Sequence, residues 1–138
     1  MKKLTILNVF VLLAFSLLNA TIIHVPSDFS TIQEGIDASV DGDTVLIAQG
    51  IYYENLILEK EIVLASHAVY DDLGSDWHDN ENIQGTIISG AHNGSCLVIR
   101  YGNIEPTIMG LTFQDGTGTS MVLESGCANL SEKSGGAI

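Results

Sequence analysis

Ser30-Thr31-Ile32-Gln33-Glu34-Gly35-Ile36-Asp37-Ala38-Ser39-Val40-Asp41-Gly42-Asp43-Thr44-Val45-Leu46-Ile47-Ala48-Gln49-Gly50 is the stretch on which the fold turns. Its first half has helical spacing and its second half does not. Ser30 stands three residues before Gln33, which is a capping box: the hydroxyl takes a helix N–H and the Gln33 amide reaches back. Ile32, Ile36 and Val40 recur on one helical face with Ala38 beside them, and Gln33, Glu34 and Asp37 fill other faces. Gly42 supplies a stop. The spacing predicts one short amphipathic helix over 30–41. From Thr44 the run is β-branched and apolar and reads as a strand.

Outward from this stretch the strand reading continues. Thr21–Val25 is a β-branched run that Pro26 ends. Thr44–Ala48, Leu56–Leu58, Ile62–Ala65, Thr86–Ile88, Cys96–Ile99, Thr107–Met109 and Leu111–Phe113 follow as short apolar runs broken by Gly, Asn, Asp or Ser, with no second helical stretch. Gly50, Gly90 and Gly116 close three similar segments and stand 40 and 26 residues apart. Residues 67–82 form a polar insertion of 16 in the longer interval, and removing it leaves a period near 25. That period suggests a solenoid coil. An antiparallel sandwich has similar short strands, and Asn93-Gly94 is the nearest candidate for a hairpin turn. In a coil the helix has a role: laid over the first turn, it buries apolar side chains and unpaired backbone there. Ile32, Ile36 and Val40 would face the coil, and Glu34 and Asp37 would face water.

The N-terminus reads as a targeting segment. Lys2 and Lys3 precede a 15-residue apolar run, Leu4–Leu18, interrupted by Asn8 and Ser16, and Ala20 offers a cleavage point. The run is shorter than the ~18–20 residues of a membrane span, so residues 1–20 are expected to be a signal peptide; an uncleaved anchor is the alternative. The double-Lys start has a bacterial look. Residues 21–138 then form one domain, secreted, periplasmic or on the cell surface, with no stable membrane span after cleavage. Its 17 acids face only Lys60, Arg100 and Lys133, a formal charge of −14. Three scattered cations cannot build a patch for nucleic acid, whereas a cation or a neutral glycan suits that charge. Cys96 and Cys127 would enter an oxidising space, where they pair or remain two buried thiols.

Residues 31–38, then Asp41-Gly42-Asp43-Thr44-Val45, then Gly50-Ile51-Tyr52-Tyr53-Glu54-Asn55 resemble the start of secreted right-handed parallel β-helix proteins of the pectin-lyase-like fold. Gly35 and Ser39 stand where that family has alanines, and Gln49 where it has Pro. Thr86–Gly90 and Gly110–Gly116 resemble later turns of the same family. The resemblance implies an all-β, right-handed parallel β-helix with a short N-terminal capping helix. It leaves function open, because the fold hosts lyases, esterases, hydrolases, epimerases and adhesins. The coils that carry chemistry in such enzymes would lie beyond residue 138, so no catalytic residue is carried over. Ser134–Ile138 reads like the opening of another coil, and the expectation is an N-terminal piece of a longer protein whose downstream coils are its partner. A short protein closed by a separate partner is the alternative. Three functional readings follow: a non-catalytic module associated with polysaccharide or cell-surface glycan, the leading segment of a pectate lyase-like or pectinesterase-like enzyme, and a surface adhesin.

Candidate site residues are few. Asp71, Asp72, Asp76 and Asp79, with Glu81, form the densest acidic cluster, and oxygen ligands in a loop suit Ca²⁺. Their spacing departs from an EF-hand, and a solvated insertion is the competing reading. Trp77 within that cluster and Tyr53 in the Tyr-Tyr-Glu-Asn turn are candidate glycan contacts, against a packing role for the aromatics. In that turn one Tyr is expected to pack while Asn55 bonds turn backbone. His24, His67, His78 and His92 lack zinc spacing. Arg100 is a lone cation expected to pair with an acid such as Glu105 or to lie exposed.

Overall fold

The computed structural model describes residues 20–72, 77–100, 103–118, 120–122 and 131–133. The proposed signal peptide before Ala20, Asp76, Cys127 and the Ser134–Ile138 segment lie outside them. The chain is mainly β with few helical turns. In order come β1 (Ile22–Val25), α1 (Ile32–Ala38), β2 (Thr44–Ile47), β3 (Gly50–Tyr53), β4 (Leu56–Leu58), β5 (Val63–Ser66), a 3-10 turn (His67–Tyr70), a second 3-10 turn (Trp77–Asp79), α2 (Glu81–Gly85), β6 (Thr86–Ser89), β7 (Leu97–Ile99), β8 (Thr107–Met109), β9 (Thr112–Gln114), β10 (Ser120–Val122) and β11 (Ser131–Lys133). No helix among the described residues is long and apolar enough to cross a membrane.

Three sheets are parallel. Their strand orders are β1-β2-β5-β8, β3-β6-β9 and β4-β7. Two passes, β2-β3-β4 and β5-β6-β7, each add one strand to every one of these sheets, with β1 before them and β8 and β9 after, so inward residues stack in rows. Ile23, Val45, Leu64 and Ile108 form one row, Val25 and Ile47 another, and Tyr52, Ile88 and Phe113 a third. Leu56 over Leu97 and Leu58 beside Ile99 complete the enclosure. The core of Val25, Val45, Ile47, Leu56, Leu58, Leu64, Ile88 and Leu97 lies between the three sheets, with Ile32 and Ile36 of α1 packed on it. Burying each of those two isoleucines contributes about 1.5–3 kcal/mol. Both faces of β2 are buried, Leu46 with Val45 and Ile47.

Several expectations are corrected here. The helix is shorter than 30–41, and its capping box is shifted by one residue. The Thr31 hydroxyl accepts from Glu34 N at 3.2 Å and the Glu34 carboxylate accepts from Thr31 N at 3.1 Å. Glutamate carries a charge toward the helix N-terminus, which Gln33 lacks. The helix stops before Gly42, because the buried Ser39 turns extended, its N–H bonding Gly35 O and its hydroxyl Ile36 O. Val40 therefore lies past the helix and is 64% exposed rather than facing the core. Tyr52 and Tyr53, read as the start of a turn with Glu54 and Asn55, are the end of a strand, Gly50–Tyr53. Gly50 pairs with Thr86 rather than matching Gly90, so the 40-residue interval is no repeat, whereas Ile87–Ser89 does match Thr112–Gln114. A second helical stretch exists after all: α2, capped by Asn80, whose side chain accepts from Ile83 N at 3.0 Å. Asn93-Gly94 joins β6 to β7, strands that pair elsewhere, so no hairpin forms there. The antiparallel pair β10–β11 is a pairing the repeat does not predict.

Two substitutions on neighbouring rungs should move stability in opposite directions. Thr86 Oγ1 is buried with no hydrogen-bond partner. Thr86→Val removes that unmet hydroxyl at nearly constant shape and should raise the unfolding free energy by about 1 kcal/mol. Gly110 has φ +65°, and a Cβ there would lie 2.7 Å from Ser66 Oγ and 2.8 Å from Ala68 Cβ. Gly110→Ala should cost about 2 kcal/mol. Urea denaturation of both variants beside the parent checks the two signs.

Candidate functional site

The most elaborated locale is where α1 meets the first strands. A seven-residue helix is far too short to persist alone, and side chains from the chain around it hold it. At its N-terminus, Glu54 accepts from Ile32 N (Oε1) and Gln33 N (Oε2), each at 3.0 Å. At its C-terminus, Lys60 Nζ donates to the carbonyls of Ile36 (2.8 Å), Asp37 (2.8 Å) and Ser39 (2.6 Å). Anion at the start and cation at the end both complement the helix dipole. Between them the Gln33 amide pairs with the backbone of β4: its Oε1 accepts from Ile57 N at 2.8 Å and its Nε2 donates to Ile57 O at 3.2 Å. Beyond the helix, the buried Asp43 accepts from Thr21 N and Val40 N, each at 2.8 Å. These two backbone donors hold the Asp43 carboxyl below the usual carboxylate range, with Lys60 adding to the effect against the opposing cost of desolvation.

Beside this lid is a shallow cleft of about 330 Å³ lined by Gln33, Ile36, Asp37, Ile57, Glu59, Lys60 and Arg100. Ile36 and Ile57 give it an aliphatic component. Its polar groups are mostly committed: Gln33 and Lys60 to backbone, and Arg100 Nη1 to Glu59 Oε1 at 3.4 Å. Glu59, rather than Glu105, is thus the partner of Arg100. A surface pair of this kind contributes little to stability. The cleft can take a small polar group against a hydrocarbon wall, with the half-exposed guanidinium as its donor.

The sequence-predicted residues fall elsewhere. Asp71 Oδ2 accepts from Asn80 Nδ2 (2.9 Å) and Asn82 Nδ2 (2.8 Å), which lowers its carboxyl below the ordinary value. Asp71 therefore ties the 3-10 turn after β5 to α2, and Gln49 Nε2 donates to Asn82 Oδ1 at 3.0 Å to fasten the insertion to the body. Asp72 and Asp79 are exposed. Among the described residues no three His, Cys, Asp or Glu side chains converge as metal ligands. Trp77 is 51% exposed on the insertion, and Tyr53 is 71% exposed on β3. Its neighbour Tyr52 packs against the core and donates to Ala48 O at 2.9 Å. Burial, then the nearby Glu54 carboxylate, pushes the Tyr52 phenol up. Asn55 Nδ2 donates to Ser95 O (2.9 Å) and Gly90 O (3.4 Å), the backbone role expected of it. Cys96 is a free, buried thiol whose Sγ bonds Gln114 O at 3.1 Å.

Sequence reasoning missed Glu54, Gln33 and Lys60 as the lid's fastenings. One signal was present: Lys60 is one of only three Lys or Arg residues after residue 20 and stands two residues past a strand. No protein-family model, curated protein or solved structure matches this chain.

Lys60→Met keeps the aliphatic stem and deletes three donors at the helix end. It should lower the unfolding free energy by about 2 kcal/mol, whereas Arg100→Met, which breaks only the exposed pair, should change it by less than about 0.5 kcal/mol. Thermal or urea unfolding of the two variants checks the contrast.

Proposed function

We propose that this chain is a secreted, helix-lidded right-handed parallel β-helix that acts as a non-catalytic module on polysaccharide or cell-surface glycan. The observation that carries the architectural part is the parallel register in three sheets, to which β2-β3-β4 and then β5-β6-β7 each add one strand apiece beneath α1. A right-handed path is the ordinary solution for parallel crossovers. The glycan part is supported by Tyr53 and Trp77, both exposed aromatic faces on a surface of strongly negative formal charge. Aromatic rings stack on sugar faces without needing charge, and that charge favours a neutral glycan over an anionic one. Export is supported by the apolar Leu4–Leu18 run behind Lys2 and Lys3.

Affinity electrophoresis through gels containing a neutral cell-wall polysaccharide tests this reading. Wild type should be retarded, and Tyr53→Ala and Trp77→Ala should each lose most of the retardation while keeping the parent's melting temperature. Incubation with pectin and polygalacturonate, with and without Ca²⁺, should give no product. Turnover on either would overturn the non-catalytic reading, and unretarded wild type would overturn the glycan reading.

A further inference from the structure

We propose that the outer edge of β3 is a docking site for an extended cationic peptide, which joins the β3-β6-β9 sheet as a further strand. Each of the three parallel sheets begins with a strand that has one side unpaired by any other strand. On β4 that side belongs to Ile57, and Gln33 bonds both its N–H and its C=O. On β1 Asp28 occupies the outward groups of His24: its Oδ2 accepts from His24 N at 2.7 Å and its N–H donates to His24 O at 2.8 Å. β3 has no such closure. Glu54 N donates to Ser89 O at 3.1 Å, so the alternation of a strand turns the backbone groups of Tyr52 toward β6 and those of Ile51 and Tyr53 away from it. Among the described residues nothing bonds those outward groups. α1 packs on β1, β2 and β4, while Ile51 is 54% and Tyr53 71% exposed.

The surroundings select the partner. Strands β3, β6 and β9 carry no charged side chain, and acids border them. Glu54 follows β3 and Asp115 follows β9. Asp71 is linked to the start of β3 through Asn82, which donates to its carboxylate and accepts from Gln49. Lys60 and Arg100 lie past β4 and β7, in another sheet. A strand bearing Lys or Arg therefore meets attraction at this edge, and an acidic one repulsion. Ile51 stands beside Ile87 on the outward face, which favours β-branched residues at alternate positions of the incoming strand. Backbone pairing supplies the affinity and the alternate side chains choose the sequence. A second copy of the chain fits poorly: each carries a formal −14 after residue 20, and a four-residue edge falls far short of the ~1,200 Å² that stable interfaces bury. The site uses the Tyr53 backbone, so it stands apart from the glycan reading, which uses the ring.

Fluorescence anisotropy on the full chain, with a short, labelled, end-capped peptide alternating Val and Lys, tests the site. Wild type should bind it. The matching peptide of Val and Glu, and the Val and Lys peptide methylated at every backbone nitrogen, should not bind. Ile51→Pro removes an outward N–H and no rung of the β3–β6 ladder. It should keep the parent's melting temperature and bind the peptide about tenfold more weakly. Should that variant not fold, amide exchange in wild type decides: bound peptide should slow Ile51 and Tyr53 about tenfold and leave Tyr52 unchanged. No binding by wild type, equal binding of the methylated peptide, unchanged exchange at Ile51 and Tyr53, or a wild-type dimer that Ile51→Pro dissolves would overturn the inference.

Discussion

The constraint behind this structure is that a parallel sheet has a first strand, and that strand's outer backbone groups need partners. In one sheet the first strand is β1, Ile22 to Val25, paired on its inner side with Thr44 to Ile47. For β4 the partner is one side chain: Gln33 presents a carbonyl and an amide at the spacing of a peptide group and bonds both backbone atoms of Ile57. A primary amide is the side chain that can imitate a peptide unit in this way, since it carries donor and acceptor on one rigid plane. The helix is therefore both an apolar cover, through Ile32 and Ile36, and a substitute strand.

Putting that amide in register demands a helix fixed in position, and a helix of seven residues supplies little order of its own. Glu54 and Lys60 provide the fixation, and they bracket β4 closely in sequence. One strand thus carries the clamps for both ends of the helix that covers it. A Cβ at Gly35 would lie 3.1 Å from Val25 Cγ2 and 3.3 Å from Val45 Cγ1, so an alanine there requires those side chains to give by a few tenths of an ångström.

How much of this was legible depends on range. Leu56–Leu58 and Thr107–Met109 match their apolar runs residue for residue, because a short run with breakers on both sides fixes a strand locally. The helix start was one residue off because Ser30/Gln33 and Thr31/Glu34 both satisfy the same capping pattern, and only the fold around them discriminates. β3 was misread because Gly50 resembles Gly90 in sequence context, yet one begins a strand and the other follows one. The Glu54, Gln33 and Lys60 contacts span 21 to 24 residues, and no local pattern encodes separations of that kind. Parallel pairing was anticipated from the repeat and the resemblance, not from any single strand.

Charge follows from the same geometry. After residue 20 the chain has Lys60, Arg100 and Lys133 as its cations. Lys60 is consumed by three carbonyls at the helix end, and Arg100 is half-exposed beside Glu59. Cations spent on internal carbonyls and a carboxylate present little positive potential outward. Several of the acids are likewise structural, since Asp43, Glu54 and Asp71 terminate backbone or amide donors. The acidity of the sequence is thus partly an inventory of acceptors needed where short strands and short helices end. Carboxylates at exposed positions such as Asp37, Asp72 and Asp79 set the field that an approaching partner meets.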